Sequence, residues 1–303
     1  MHGNTSAYHV PVLFNEALSA LNIQANGVYV DCTFGGGGHA KGILEKLSAD
    51  GRLIAFDQDA DVQKNIPPDE RLIFVPHNFR HLQRFLKLYK HEKVNGVLAD
   101  LGVSSFQFNE AQRGFSTRFN GPLDMRMDKR TEKTAAIILF DYSEAQLHKL
   151  FEQYGEISNS KTLAKHIVQQ RSNTLLQNID AFKNMLQPVV KGNPNKYLAQ
   201  VFQALRIEVN DEMGALKEML AQLPNVLLSK ARVAIITFHS IEDRIVKNFF
   251  KQANDEDDEN PFITKKKEEI FKIITKKPFV PSAEEIKNNS RARSAKLRVA
   301  EKI

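Results

Sequence analysis

The sequence contains a single cysteine and no long apolar run. Cys32 is the only cysteine among 303 residues, which excludes an internal disulfide and is typical of a reducing cytosol. No stretch reaches the length of about eighteen apolar residues that a transmembrane helix needs, so we expect no membrane contact. Residues 1–6 lack a basic segment followed by an apolar one, and the sequence therefore predicts no secretory signal and a cytoplasmic protein.

Metal-ligand spacing is also lacking. The nine histidines are scattered, and the acidic run at 254–260 has no glycine where a calcium-binding loop requires one. The sequence therefore predicts no metal site. With 42% hydrophobic and 26% charged residues the composition is that of an ordinary globular protein, long enough for one large domain or two smaller ones.

Positive charge is in excess and unevenly placed. The formal net charge is +6, and basic residues gather late in the chain, at Lys265–Lys267, Lys276–Lys277 and Arg291–Arg298. Exposure to solvent explains any one of these runs as well as nucleic acid does. Their clustering favours a polyanionic partner.

The glycine-rich segment after the first apolar run predicts a ligand-binding loop. Val28–Val30 has the pattern of a buried strand, four glycines follow at Gly35–Gly38, and a helix is expected to open near His39. Glycine lets the backbone approach a ligand closely, and the start of a helix offers free N–H groups. Four consecutive glycines exceed what a plain turn needs, so we interpret the segment as a cofactor loop.

This loop does not identify its cofactor. Gly35-x-Gly37-x-x-Ala40 fits the dinucleotide pattern, with Asp57 near the position of an acid that binds a ribose hydroxyl. Enzymes that use S-adenosylmethionine have the same strand, loop and helix, with an acid at the end of the second strand. The segment alone leaves both cofactors open.

Short apolar runs alternate with helical patterns over the first hundred residues. After the first strand, the further strand candidates are Arg52–Phe56, Leu72–Val75 and Val94–Ala99. This alternation predicts an α/β fold with a doubly wound, mostly parallel sheet. Ligands of such sheets bind at the carboxyl ends of the strands, where Asp31, Asp57, His77 and Asp100 are expected.

The middle of the chain has helical patterns and few strand candidates. Strand character resumes at Arg232–Phe238 and continues at Phe271–Thr275, and Ala295–Ala300 is expected to form a final edge strand. We therefore predict a discontinuous core domain of residues 1–107 and 206–303. Residues 108–205 are predicted to form an inserted, mainly helical domain that recognises the substrate.

Seven motifs carry a resemblance to a known family. They are Thr33–Ala40, Asp100–Ser105, Arg113–Ser116, Gly121–Met127, Arg206–Asn210, Phe238–Lys247 and Arg291–Arg298. In this order, over essentially the whole chain, they resemble the ribosomal RNA small subunit methyltransferase H family, also called MraW. The resemblance implies a class I methyltransferase of Rossmann-like fold. It also implies transfer of a methyl group from S-adenosyl-L-methionine to the exocyclic N4 amine of a cytidine in the decoding region of 16S ribosomal RNA.

The resemblance also implies a set of cofactor contacts. Carried over by motif position, they are Gly37, Gly38, His39, Asp57, Phe79, Asp100 and Gln107. Asp57 can accept hydrogen bonds from ribose hydroxyls, and Phe79 offers an apolar face to adenine. A cytosine amine is a poor nucleophile. Asp100 is our candidate catalytic residue because its carboxylate could accept a hydrogen bond from that amine. Leu101, Gly102 and Val103 follow it where many amino-methyltransferases have Pro-Pro-Tyr, so Ser104, Ser105 and His239 are alternative partners of the amine.

The predicted partner is 16S ribosomal RNA within the small subunit. Candidate RNA-binding residues are Arg113, Arg126, Arg291 and Arg293, with Arg298 as a further candidate. The target base is expected to come from a single-stranded or distorted segment, because duplex RNA hides its base edges. The sequence does not determine whether the protein is a homodimer.

Overall fold

A computed structural model describes residues 11–172, 176, 178–252 and 269–303. The basic run Lys265–Lys267 and the acidic run at 254–260 lie outside the described residues. The strands are β1 (Val28–Asp31), β2 (Arg52–Phe56), β3 (Leu72–Val75), β4 (Val94–Asp100), β5 (Leu227–Thr237), β6 (Phe271–Ile273) and β7 (Lys296–Lys302). The helices are α1 (Phe14–Leu21), α2 (Gly38–Leu44), α3 (Leu82–Leu88), α4 (Ser105–Asn109), α5 (Ala135–Asp141), α6 (Glu144–Gln153), α7 (Ser160–Gln170), α8 (Ile179–Leu186), α9 (Pro194–Asn210), α10 (Glu212–Val226), α11 (Ser240–Gln252) and α12 (Ala283–Asn288). Across the described ranges, no helix is both long enough and apolar enough to cross a membrane.

The chain forms two compact units. The first comprises Met1–Gly102 and Ala215–Ile303, and the second comprises Val103–Gly214. The sequence placed these divisions after residues 107 and 205. Val103 and Phe108 pack against the apolar core of the second unit, and α9 continues to Asn210, which accounts for the difference.

The described strands of the first unit form one seven-stranded sheet. Its order is β3-β2-β1-β4-β5-β7-β6, with parallel pairing from β3 through β5. Strand β7 runs antiparallel to both of its neighbours, β5 and β6. This confirms the predicted α/β class with a mostly parallel, doubly wound sheet.

Alternation along each strand gives the sheet two apolar faces. In β4, Val97 and Ala99 join one core cluster, to which α3, α10 and α11 contribute, whereas Leu98 joins another, to which α1 and α2 contribute. Successive side chains of a strand point to opposite faces, so a strand covered on both sides is apolar throughout. Full burial of one such aliphatic side chain contributes about 1.5–3 kcal/mol.

The last strand lies inside the sheet, and its predicted position at an edge was wrong. Backbone pairing connects β7 to β5 on one side, as at Ala234 and Val299, and to β6 on the other, as at Ile273 and Ala300. The edge is the three-residue strand β6. Apolar pattern marks a strand as buried, but neighbours in a sheet are decided by contacts between distant parts of the chain.

A long-range hydrogen bond connects the two ends of the first unit. The backbone N–H of Leu13, which precedes α1, donates to Glu285 Oε1 of α12 at 2.8 Å. Leu13 has a left-handed backbone with φ of 52°, and its side chain is fully buried. The bond satisfies a buried N–H that the start of a helix would otherwise leave without a partner.

The second unit is helical and has its own core. Buried side chains from α5 through α9 form one cluster, in which the Phe182 and Phe202 rings lie 6.1 Å apart. Asn210 connects α9 to the segment before α5, because its Oδ1 accepts the Met127 N–H and its Nδ2 donates to the Met125 carbonyl. Parts of the motifs Gly121–Met127 and Arg206–Asn210 therefore serve packing inside this unit.

Candidate active site

The glycine loop leaves β1 at Asp31 and enters α2 at Gly38. Gly37 precedes the helix with φ of 76°, a left-handed conformation that glycine adopts without strain. A β-carbon on Gly38 would overlap the Pro11 ring, whereas one on Gly36 would meet nothing within 4 Å. The loop is thus packed on one side and open at Gly36, as a cofactor loop requires.

Asp57 holds this loop against the end of β2. Its Oδ2 accepts the Gly35 N–H at 2.8 Å, and its Oδ1 accepts the Asp59 N–H at 2.9 Å. Each carboxylate oxygen has further lone pairs, so these bonds are compatible with a ribose contact. The predicted contact between Asp57 and ribose stays a prediction, and the structure adds a role in shaping the loop.

Thr33 joins the ends of β1 and β4. Its backbone N–H donates to Asp31 Oδ1 at 2.9 Å, and its Oγ1 accepts the Asp100 N–H at 2.7 Å. The hydroxyl lies 3.5 Å from Asp31 Oδ1, to which it can donate. Sequence reasoning missed this role of Thr33, although the residue stands in the glycine motif, because its partner is 67 positions away.

Two carboxyl groups lie at these strand ends, Asp31 buried and Asp100 half buried, and one oxygen of each is enclosed. Asp31 Oδ2 and Asp100 Oδ1 have no hydrogen-bond partner among the described residues. Burial raises the pKa of Asp31 to about 7, and the nearby charge of Asp57 adds to this effect. Burial likewise raises the pKa of Asp100 well above its usual range, helped by Asp31 and Glu242. Such a site favours a cationic ligand, which would stabilise both carboxylates.

His39 is a neutral side chain beside Asp100. Its Nδ1 lies 3.7 Å from Asp100 Oδ2, but burial lowers the pKa of His39 to about 4, so the two do not form an ion pair at pH 7. The ring stacks on Phe14 of α1 with 5.9 Å between centroids. Its Nε2 has no partner within the described part of the chain. His39 thus offers the site a ring nitrogen as well as its backbone.

The predicted contacts Phe79 and Gln107 lie in different units. Phe79 begins a short 3₁₀ helix after β3 and packs, half buried, against one core cluster of the first unit. Gln107 is buried in α4 of the second unit, where it forms a capping box with Ser104. Its Oε1 accepts the Ser104 N–H at 3.0 Å. Cofactor binding by either residue stays a prediction.

His239 and Glu242 form a pair at the start of α11. His239 Nε2 lies 3.1 Å from Glu242 Oε1, and both side chains are buried. Glu242 Oε2 accepts the backbone N–H of Phe238 at 2.8 Å. This carboxylate therefore fixes the turn that precedes the helix, and it also contributes to the raised pKa of Asp100. The contacts of His239 favour a role in positioning Glu242.

Two of the predicted RNA-binding arginines are bonded inside the second unit. Arg113 is only 4% exposed, and its Nη2 donates to the carbonyls of Arg126 and Met127 at 2.9 and 3.3 Å. Arg126 forms a two-bond ion pair with Asp124 at 2.8 Å and donates to the Thr131 carbonyl at 2.6 Å. RNA binding by these two arginines stays a prediction, and their contacts argue for a structural role.

The C-terminal arginines differ from one another in exposure. Arg293 is exposed and Arg291 half buried on a 3₁₀ helix at Ser290–Ser294. Arg298, on β7, pairs with Asp243 of α11 through Nε at 2.6 Å and Nη2 at 3.2 Å. The same pair lowers the pKa of Asp243 despite its burial. Arg293 is the best placed of the three for a phosphate contact, and Arg298 joins β7 to α11.

These residues fit S-adenosyl-L-methionine. The sulfonium and ammonium groups of this cofactor are cationic, which suits the unpartnered oxygens of Asp31 and Asp100. The loop at Gly36 leaves room for close backbone approach, and Asp57 ends the second strand. Together with the sheet order, these features fit a class I methyltransferase.

Comparison with known proteins gives the family. The model of the MraW methylase family matches residues 6–303, and the chain belongs to this family. A protein of Azobacteroides pseudotrichonymphae named ribosomal RNA small subunit methyltransferase H is 51% identical over 99% of both chains. Proteins of the same name from Parabacteroides distasonis and Bacteroides thetaiotaomicron are 48% and 47% identical over the full length of each chain. Membership of a methylase family decides between the two cofactors that the glycine loop left open, and the cofactor is S-adenosyl-L-methionine.

Proposed function

We propose that this protein methylates the exocyclic N4 amine of a cytidine in the decoding region of 16S ribosomal RNA, within the small ribosomal subunit. The name shared by its full-length relatives supports ribosomal RNA of the small subunit as the substrate. The Asp100 carboxyl supports an amine as the target. It is half buried at the end of β4, and its enclosed Oδ1 has no partner among the described residues.

Asp100 suits the proton transfer that this chemistry needs. S-adenosyl-L-methionine, when bound, supplies a methyl group on a cationic sulfonium. As the amine nitrogen becomes tetrahedral it must lose a proton, and Asp100 Oδ1 would accept it. Burial raises the pKa of this carboxyl, so its ionised form is a stronger base than an exposed aspartate. Thr33 fixes the backbone of Asp100 through the hydrogen bond to its N–H.

The first experiment identifies the methylated atom. Small subunits that lack the modification are incubated with the protein and methyl-labelled S-adenosyl-L-methionine, and the nucleosides are then analysed. We expect label on the N4 amine of one decoding-region cytidine. Label on a ring carbon or a ribose oxygen would contradict the proposed chemistry, and absence of label would contradict the function.

The second experiment tests Asp100. Asp100→Asn should lower kcat at saturating cofactor by about a hundredfold or more, the usual contribution of a positioned general base. Asp69→Asn is the matched control, because Asp69 precedes β3 and pairs with Arg71 on the protein surface. We expect the kcat of the Asp69→Asn variant to equal that of the unchanged protein. If Asp100→Asn changes only cofactor affinity, Asp100 is a cofactor residue and positioning alone carries the reaction.

We also propose that the reaction takes place in the cytoplasm. Cys32, the single cysteine, is buried, and burial raises the pKa of its thiol well above the usual range. A thiol of this kind is unreactive, and a chain with one cysteine forms no internal disulfide, which is typical of proteins from a reducing compartment. Detection of the protein in the cytoplasmic fraction, together with small subunits, tests this assignment.

A further inference from the structure

Arg118 lies close to two aromatic rings on the second unit. Its guanidinium carbon is 5.0 Å from the centroid of the Phe108 ring and 5.5 Å from that of Phe119. Arg118 is exposed, and the Phe119 ring is 39% exposed. Phe108 is half buried against the core of the unit and anchors the group. We call Phe108, Arg118 and Phe119 the Arg118 cluster.

Contacts to α8 hold the segment that carries this cluster. Lys183 Nζ donates to the Thr117 carbonyl at 3.2 Å, and Asn120 Oδ1 accepts the Asp180 N–H at 3.2 Å. The Ile179 N–H donates to the Gly121 carbonyl at 2.9 Å. The exposed ring of Phe119 therefore stands on a fixed backbone, which lowers the entropy that is lost when a ligand binds it.

Two hydrogen bonds orient the guanidinium of Arg118 and leave other N–H donors available. Its Nη2 donates to Asn109 Oδ1 at 3.2 Å, and its Nε donates to Ser116 Oγ at 3.4 Å. Arginine has five N–H donors, and across the described residues these two contacts use two of them. The N–H donors of a guanidinium point outward in its plane, so a phosphate could accept hydrogen bonds from those that remain.

We propose that the Arg118 cluster binds one nucleotide of single-stranded RNA, with its base stacked on Phe119 and a phosphate on Arg118. A ring face beside a fixed cation matches a nucleotide, which offers a flat base and an anion a short distance apart. The excess of positive charge in the whole chain suits the same ligand. The proposal rests on the proposed function only for the identity of the RNA.

RNA affinity measures the stacking part of this inference. The probe is a fluorescein-labelled single-stranded RNA of decoding-region sequence, and binding is followed by fluorescence anisotropy. Phe119→Ala should weaken binding about tenfold, the usual size of one lost base stack. Phe119→Tyr should bind as the unchanged protein does, whereas Phe119→Leu, which is apolar but has no ring, should resemble Phe119→Ala. Equal binding by the Leu and Tyr variants would overturn stacking.

Arg118 is tested through the salt dependence of the same binding. Arg118→Gln should reduce the slope of log affinity against log salt concentration by about 0.7, the value for one phosphate contact on a single strand. Phe140→Ala is the matched control, since Phe140 is 66% exposed on α5 of the same unit. It should change neither affinity nor slope. Circular dichroism and melting temperatures check that each variant is folded.

Other occupants of the surface give different results. If the variants bind RNA normally but raise the KM for small subunits, the surface binds a protein of the subunit and the proposal is overturned. If they alter only the oligomeric state, it binds a second copy of this chain, and the proposal is again overturned. S-adenosylhomocysteine binding, measured by calorimetry, should be the same in all variants.

The fate of the inference can be separated from that of the proposed function. If the unchanged protein methylates small subunits while the Phe119 variants bind RNA normally and keep their KM, the function stands and the inference fails. If the unchanged protein does not methylate small subunits but binds the RNA through Phe119, the inference stands and the function fails.

Discussion

Asp31→Asn should make the stability of the protein less dependent on pH between pH 5 and pH 8, although it removes a carboxyl group of the candidate site. Burial raises the pKa of Asp31 from 3.8 to about 7. The folded protein therefore keeps this proton up to about pH 7, while the unfolded chain loses it near pH 4. Its contribution to stability is fully present below pH 4 and is lost as the pH rises to about 7.

The size of the effect follows from the raised pKa. A tenfold change in proton affinity corresponds to about 1.4 kcal/mol, so between pH 5 and pH 8 the wild type should lose on the order of 3 kcal/mol from this group. The asparagine of the variant is neutral throughout and loses nothing. Its side-chain oxygen can still accept the Thr33 N–H, while its amide nitrogen takes the place of the unpartnered Oδ2 of Asp31. The stability of the variant relative to wild type should therefore rise by this amount.

Urea denaturation at pH 5 and pH 8, without cofactor, measures that difference. Asp69→Asn is the control, because Arg71 lowers the pKa of Asp69 to about 2, and its contribution is lost only at more acidic pH. Its difference from wild type should be the same at both pH values. A difference for Asp31→Asn that is constant or decreases with pH would refute a buried carboxyl with a raised pKa.

Two further predictions concern one residue in each unit. Asp57→Ala should weaken S-adenosylhomocysteine binding measured by calorimetry, because it removes both the acceptor at the end of β2 and the bond that holds the Gly35 N–H; unchanged affinity would exclude Asp57 from the site. Arg113→Gln should lower the free energy of unfolding by about 1–3 kcal/mol through loss of buried hydrogen bonds, without changing the salt dependence of RNA binding. A smaller salt slope with normal stability would instead assign Arg113 to RNA.

The sequence was most informative about the sheet and least about side-chain partners. The apolar run within Arg52–Phe56 predicted a strand because a strand buried on both faces must be apolar along its length, and Leu53 to Phe56 are all buried. The position of β7 between β5 and β6 could not be predicted, because local pattern carries no record of which strands pair.

Local sequence pattern also fails to predict the environment of single arginines. Arg113 and Arg118 lie in one short segment, and nothing in their flanking residues separates them. One guanidinium is buried against backbone carbonyls, whereas the other belongs to an exposed side chain close to two aromatic rings. Which of the two side chains is buried depends on how α4 through α9 pack together, and the residues that flank each arginine carry no information about that packing.

The contact between Leu13 and Glu285 has a consequence for the order in which the protein folds. The second unit is one continuous stretch, so all its residues are synthesised before β5, β7 and α12. The first unit cannot be completed until these elements are made. Strands β1 to β4 are synthesised earlier, and the Leu13 N–H before α1 has no Glu285 to accept its hydrogen bond until α12 is made. A helical insertion is therefore complete while the parallel strands are still exposed, and limited proteolysis of stalled chains should detect it first.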